Sequence, residues 1–421
     1  MNQRNFAMSK IKIKNFGPIK EGMIDNDGWI DIKKVTVFIG NQGSGKSTVA
    51  KLISTFTWIE KAINRGDIEK GKLDFHTIKK SLNYHKIDTY FSNKTYIEYF
   101  GEKYHILCDK SMQYPVANEI KKGTYIVPKI VYIPAERNFL SAISDAFNVK
   151  GLPGNLFSFA ERLRKAQNQL NGEKLQLPIG DYEYQYDDNI DISFIAGNDY
   201  QINLTDASSG LQSFIPLYLV SNHLSKSIFD NQENSKRTLT VEQSVRFANE
   251  IMNLTSDERL KDSVRNKKIE EVKARYFNKC LINIVEEPEQ NLFPTSQQQM
   301  LNSLLEFNNM NEGNKLIMTT HSPYLINYLT LNVKAEHVYE SLIEKKYKLG
   351  DPETLELNKI VPLSSFIKSD DLAIYELDES DGSIKKLSTF QGIPSDKNFL
   401  NISLGNTNQL YDSLLEIEED L

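Results

Sequence analysis

A chain of 421 residues, 40% hydrophobic and 25% charged, has the composition of a globular protein with room for more than one structural unit. Its formal charge of −6 excludes a surface built throughout to coat nucleic acid, and its apolar runs fall far short of the roughly 20 residues that cross a bilayer. Cys108 and Cys280 are distant and form no CxxC pair, which excludes a disulfide framework and a zinc site of ordinary spacing. The opening MNQRNFAMSKIKIKNF lacks the apolar core and cleavage site of a secretion signal, so a cytoplasmic protein without a membrane partner is expected.

In chain order, lysine alternating with isoleucine over 10–24, and a run ending in Val35-Thr-Val-Phe-Ile39 over 28–40, predict two strands before a glycine-rich loop. A helix over 47–62 follows, so residues 1–64 read as the first part of a nucleotide-binding core. Residues 65–136 are polar and tyrosine-rich, with turn signals at Gly71, Asn93 and Gly101, and predict an antiparallel β lobe. Residues 137–205 read as an insertion with a helix over 157–170 and an acidic, strand-like stretch. An apolar helix over 210–224 lies within the segment 206–224. The segment 225–278 reads as a helical insertion. Its periodicity over 241–276, with pairs such as Glu270 and Lys273, predicts a short helical hairpin, not a long coiled-coil arm. Residues 279–331 read as the second part of the core. Residues 332–421 read as a C-terminal α+β segment of short strands and turns, with a hairpin at 378–383 and a last helix over 407–418.

Gly40-Asn41-Gln42-Gly43-Ser44-Gly45-Lys46-Ser47 fits G-x-x-x-x-G-K-[ST] between a predicted strand and a predicted helix. Glycines allow backbone N–H groups, from Asn41 through Thr48, to converge on phosphates at a helix N-terminus. Lys46 would reach the terminal phosphates and the Ser47 hydroxyl would ligate Mg²⁺. An unrelated glycine-rich turn is the alternative. A second apolar strand ends in Glu286-Glu287-Pro288-Glu289, where Glu286 would hold Mg²⁺ and Glu287 would polarise the attacking water. A solvated strand end is the plainer reading of such a pair. A third strand ends in Thr320-His321-Ser322-Pro323, with His321 placed to sense the γ-phosphate, although a lone histidine is usually a satisfied one. Ala207-Ser208-Ser209-Gly210-Leu211 opens a helix, and Ser208 could be no more than its cap.

Taken in order, these motifs resemble the ATPases of the SMC and OLD branch of the ABC superfamily, as does the start Asn15-Phe16-Gly17-Pro18-Ile19. The resemblance implies an α/β fold, a P-loop NTPase of ABC or SMC-head type with an antiparallel β lobe and helical insertions, using ATP and Mg²⁺. It implies catalytic roles for Lys46, Glu287 and His321. It further implies that Ser208 and Gly210 form a degenerate signature motif contacting the γ-phosphate bound by a second subunit. The protein would then work as a dimer or higher oligomer with shared ATP sites. Within that group, a compact chain is similar to the ATPases of bacterial anti-phage systems. That likeness implies a sensor that answers a phage-encoded trigger and controls a separate effector such as a nuclease.

The alternative is a DNA-maintenance ATPase that clamps duplex through Lys10, Lys12, Lys14 and Lys20, through 162–165 or through 265–268, though a solvated face is the plainer reading of each patch. An OLD-like nuclease would need acidic metal ligands near Asp378-Glu379-Ser380-Asp381, which reads better as a hairpin turn. An ATP subunit of a membrane transporter is disfavoured by the Glu-Glu pair. Tyr132-Ile-Pro-Ala-Glu136-Arg137 resembles a segment of the same branch, from which Arg137 is expected to reach phosphate or a partner subunit. Gln42 lies inside the glycine-rich loop, so no glutamine is assigned to a Q-loop.

Overall fold

The computed structural model describes residues 9–120, 125–143, 149–170, 172–230 and 239–419. Strands β1 (Ser9–Lys14), β2 (Gly22–Met23), β3 (Ile30–Ile32) and β4 (Val35–Gly40) lead into helix α1 (Lys46–Arg65). The strand expected over 10–24 is broken. Asn15 and Gly17 both take left-handed backbone angles, and the Phe16 N–H donates back to the Ile19 carbonyl in a tight turn. Helix α2 (Phe75–Asn83) then precedes β5 (Tyr96–Phe100), β6 (Tyr104–Asp109), β7 (Val116–Glu119) and β8 (Pro128–Ile133).

The expected β lobe therefore begins with a helix, capped by Asp74 accepting from the Thr77 N–H, and it recruits strands from the N-terminus. Its five-stranded sheet runs β3-β1-β5-β6-β7 and is antiparallel throughout. Helices α3 (Phe139–Ala142) and α4 (Gly154–Gln169) precede β9 (Leu175–Gln176), β10 (Glu183–Asp187), β11 (Ile192–Ala196) and β12 (Gln201–Asn203), which form a small antiparallel sheet. Next come α5 (Ser209–Phe229) and the hairpin of α6 (Val241–Ser256) and α7 (Asp262–Tyr276).

Strand β13 (Cys280–Glu286), α8 (Pro294–Asn309) and β14 (Lys315–Thr320) complete the expected second part of the core. The chain beyond does not turn to short strands at once. It builds α9 (Pro323–Glu344) and α10 (Pro352–Ile360) before β15 (Leu372–Leu377), β16 (Ser383–Lys386), β17 (Thr389–Phe390), β18 (Ile393–Pro394) and α11 (Phe399–Glu419). Tyr, Thr and Val within 324–339 mask the helical period of α9, but Leu325, Ile326, Leu329 and Val333 are buried at its spacing. The last helix begins at Phe399, eight residues before the expected start, and none of its described residues is buried.

One seven-stranded sheet organises the molecule in the order β2-β16-β15-β4-β14-β13-β8. Strands β15, β4, β14, β13 and β8 are mutually parallel. Both faces of such a sheet are covered, so its strands are apolar along their whole length. Alternate side chains feed two cores: Val35, Val37, Ile39, Leu316, Met318 and Val285 pack on one face with α5, α8 and α9. Phe38, Ile317, Ile282 and Ile284 pack on the other with α1 and the β lobe. The C-terminal segment is thus no appendage, since β15 lies directly beside β4. Among the described residues, no helix is long and apolar enough to cross a membrane. Both cysteine thiols are buried, and burial pushes each up to about 12.

Candidate nucleotide-binding site

Open parallel sheets place ligands at the carboxyl ends of their strands. Here β4 ends at Gly40, β13 at Glu286, β14 at Thr320 and β15 at Leu377, and the registers Thr320↔Ile39, Glu286↔Thr319 and Leu377↔Gly40 align these ends. Strand order alone therefore brings the three predicted loops side by side.

The glycine-rich loop between β4 and α1 turns through positive φ at Gly40 (148°), Gly43 (78°) and Gly45 (99°). A Cβ on Gly40 would stand 2.3 Å from the Leu377 carbonyl oxygen, and one on Gly45 would stand 2.5 Å from Ile19 Cδ1. Close approach of the neighbouring backbone imposes the glycine at 40, and the left-handed backbone favours the one at 45. Asn41, Gln42 and Gly43 are exposed, while Ser44, Lys46 and Thr48 are buried and Ser47 lies between. The Lys46 ammonium donates to the Gly40 and Asn41 carbonyls at 2.9 and 2.8 Å. Burial lowers its pKa to about 8, although Glu287, Glu289 and Glu379 pull the other way.

Glu286, 4% exposed, ends β13. Its Oε2 accepts the Ala135 N–H at 3.3 Å, whereas its Oε1 is buried without a hydrogen-bond partner among the described residues. The Lys51 ammonium stands 4.0 Å from that oxygen. Glu287 follows at φ 42°, its N–H donating to the Thr319 carbonyl, so its carboxylate leaves the strand direction and comes 3.7 Å from His321 Nε2. The His321 N–H donates to Glu289 Oε1 at 2.7 Å. Burial, with the Lys46 charge behind it and Glu287 opposing, lowers the His321 pKa and favours the neutral ring. Ser322 locks the next turn by donating to Gln297 Oε1 at 2.6 Å.

Arg137 does not reach outward to a phosphate or a partner. It is wholly buried, and its guanidinium donates to the carbonyls of Pro134, Ser213, Glu286 and Glu287, the last two at 2.6 Å. A planar five-donor fork can gather several carbonyls where a lysine cannot, so Arg137 ties the acid loop to α5 and to the end of β8. Burial lowers it to about 10.

Ser208 and Gly210 start α5. Ser208 is exposed, and its Oγ caps the helix by accepting the Leu211 N–H at 3.5 Å, so the plain cap reading is realised. Gly210 is buried, and a Cβ there would lie 2.7 Å from the Asn291 carbonyl oxygen. The helix start is therefore packed on the loop that follows the acids. No hydrogen bond among the described residues joins it to the glycine-rich loop.

Lys51, Glu289 and Glu379 belong to the site without having been singled out. Lys51 lies four residues after Ser47 on α1, a spacing that does place it on the same helix face. Glu379 sits in the β15–β16 turn and accepts from Asn41 Nδ2 at 2.8 Å, a pairing that no local pattern announces. The turn itself confirms the hairpin expected at 378–383, with the Gly382 N–H donating to the Asp378 carbonyl.

The family model for the AAA ATPase domain matches residues 260–326, the stretch that holds Glu286, Glu287 and His321. No curated protein matches the chain. Among solved structures, the SMC head domain from Thermotoga maritima is 12% identical over 91% of this chain and 99% of that one, with a TM-score of 0.35. The SMC head bound to the C-winged helix domain of ScpA is 10% identical over 90% and 96%, with a TM-score of 0.37. A nucleotide-free ATP-binding cassette from an ABC transporter is 11% identical over 91% and 92%, with a TM-score of 0.32. Strand order and loop geometry in this chain define the class, a P-loop NTPase fold, and its residues 260–326 match the AAA ATPase domain.

Proposed function

We propose that the chain binds ATP and Mg²⁺ at these strand ends and hydrolyses ATP when self-associated. The observation that carries this reading is the convergence of Lys46, Glu286, Glu287 and His321 from neighbouring parallel strands, with a buried Glu286 oxygen that has the Lys51 ammonium 4.0 Å away but no hydrogen-bond partner among the described residues. Ser47 and Glu286 would hold Mg²⁺, which supplies charge neutralisation between the phosphates. The backbone N–H groups of 41–48 would cradle the phosphates, and Lys46 would turn from the loop carbonyls to the terminal phosphates. Glu287 orients water, and neutral His321, fixed through its own N–H by Glu289, stands beside it to donate or accept.

The exposed Ser208 end of α5, seated on the acid loop by Gly210, supports a second copy closing the site. The apolar residues Leu410, Leu414 and Ile417, exposed on α11, add surface suited to association. In the cell we assign the assembly to the anti-phage class, as in the ATPase of the PARIS system: a sensor of a phage-encoded trigger that controls an effector such as a nuclease. The compact core and short hairpin support it over DNA clamping, several of whose basic residues are engaged locally. Lys10 and Lys12 lie over Trp29, Arg164 pairs with Asp191 and Arg265 with Asp262.

Light scattering after size exclusion, with nucleotide binding and turnover measured in parallel, tests this. Lys46→Ala is expected to lose ATP binding, and Glu287→Gln to accumulate an ATP-bound assembly. Undiminished turnover in Glu287→Gln would remove Glu287 from its role. A monomer unaffected by ATP and free of co-purifying protein would remove the sensor reading.

A further inference from the structure

The glycine-rich loop and the β15–β16 turn meet at one residue, Asn41, the first position after Gly40. Its Nδ2 donates to Glu379 Oε1 at 2.8 Å, its Oδ1 accepts the Gln42 N–H at 2.8 Å, and its carbonyl accepts from the Lys46 ammonium at 2.8 Å. The Gln42 N–H and Lys46 are two of the donors that a phosphate in this loop would need. Asn41 therefore competes with phosphate for both. An exposed asparagine side chain ordinarily samples several rotamers, and the contact with Glu379 holds this one in the competing orientation.

Glu379 is presented by a turn that is fixed at both ends. The Leu377↔Gly40 register sets the turn directly beside the loop. Within it, the Asp378 carboxylate accepts from the Ser380 N–H and hydroxyl at 2.8 and 2.6 Å, and the Asp378 N–H donates to the Ser383 carbonyl. On the far side the Gly382 carbonyl accepts the Lys20 N–H, and a Cβ on Gly382 would stand 2.4 Å from the Pro18 carbonyl oxygen. Only the tip, Glu379 and Ser380, is exposed. Charge acts in the same direction as the hydrogen bond. Burial lowers the Lys46 pKa and Glu379 is one of three acids that oppose it, so the carboxylate favours the ammonium where it stands and repels an incoming phosphate.

We propose that Glu379 is a positioning residue that sets nucleotide affinity: it latches Asn41 onto two of the loop's phosphate-binding donors, and the terminal phosphates must break that latch to enter. The inference rests on the nucleotide-binding reading above and adds to it a competitor built into the chain itself. Affinity is then lower than the loop alone would give, by the cost of releasing Asn41.

Calorimetric titration of the full chain with ATP in the presence of Mg²⁺ tests the latch. Glu379→Ala is expected to bind ATP about fivefold tighter, since it removes one exposed hydrogen bond and one like charge. Glu379→Gln keeps an acceptor for Asn41 and loses only the charge, so its gain should be about twofold and should fade in molar salt. In an Asn41→Ala background the latch is already gone, and Glu379→Ala should then add only that salt-sensitive part. Weaker or unchanged ATP binding in Glu379→Ala, or full additivity with Asn41→Ala, would overturn the proposal. Absence of ATP binding in the wild type and in Glu379→Ala alike would instead remove the nucleotide reading, and the latch with it.

Discussion

At the strand ends one buried guanidinium gathers four carbonyls around the acid loop, whereas the α6–α7 hairpin is held at the surface by ion pairs and a small apolar cluster. Arg275 pairs with Glu250, and Arg246 pairs with Asp67 at the end of α1, with both arginine side chains 37% exposed. Beneath them, among the described residues, lies a small cluster of Phe247, Val272 and Tyr276 with partly buried neighbours. Exposed pairs gain little because water screens them and holding two long side chains has an entropic cost; buried donors and acceptors are costly to leave single. The site is accordingly the rigid region, and the hairpin is the one that can be rebuilt without disturbing it.

The largest test of that contrast is Arg137→Ala. Four carbonyls would lose their donor in a dry environment, so we expect a loss on the order of 3 kcal/mol or more in urea unfolding, together with impaired turnover. A loss below about 1 kcal/mol would mean that water replaces the guanidinium and the site is not rigid for the reason given.

A buried carboxyl offers an intermediate case. Glu60 on α1 is 1% exposed and accepts the Lys103 and Tyr104 N–H groups at 2.7 and 3.0 Å, binding α1 to the β5–β6 turn. Burial raises its carboxyl to about 7, the backbone donors opposing. The folded protein thus keeps a proton that the unfolded chain releases near 4.5. The contribution is fully present below that pH and is lost as pH rises through about 7. Unfolding measured from pH 4 to 8 should show stability falling across this window, and Glu60→Gln should flatten the slope. An unchanged slope would assign the proton elsewhere.

The smallest effect belongs to the hairpin. Arg246→Ala should cost about 0.5 kcal/mol, a difference that fades in molar salt. A cost above about 2 kcal/mol, insensitive to salt, would erase the distinction between the two regions.

Much of the site could be read from the chain because its chemistry is local. Glycine-rich turn, lysine and serine occupy consecutive positions, and each acid or histidine ends an apolar run whose length already marks a buried strand. Lys46, Glu286, Glu287 and His321 were therefore visible without knowing what lies beside them. The β lobe was half legible. Its alternating strands show, but α2 hides among polar residues, and the first strand reads through a turn set by Asn15 and Gly17. The helical period of α9 was blurred by β-branched and aromatic residues that suit strands equally.

What the sequence by itself determined is the set of strand ends and the phosphate-binding loop, since backbone sterics and hydrophobic period act over a few residues. Only the tertiary structure decided that β15 lies beside β4, that Glu379 meets Asn41, and that Arg137 turns inward to carbonyls drawn from three separate segments. Such pairings depend on strand order and on the reach of long side chains across the fold, and neither leaves a period in the chain.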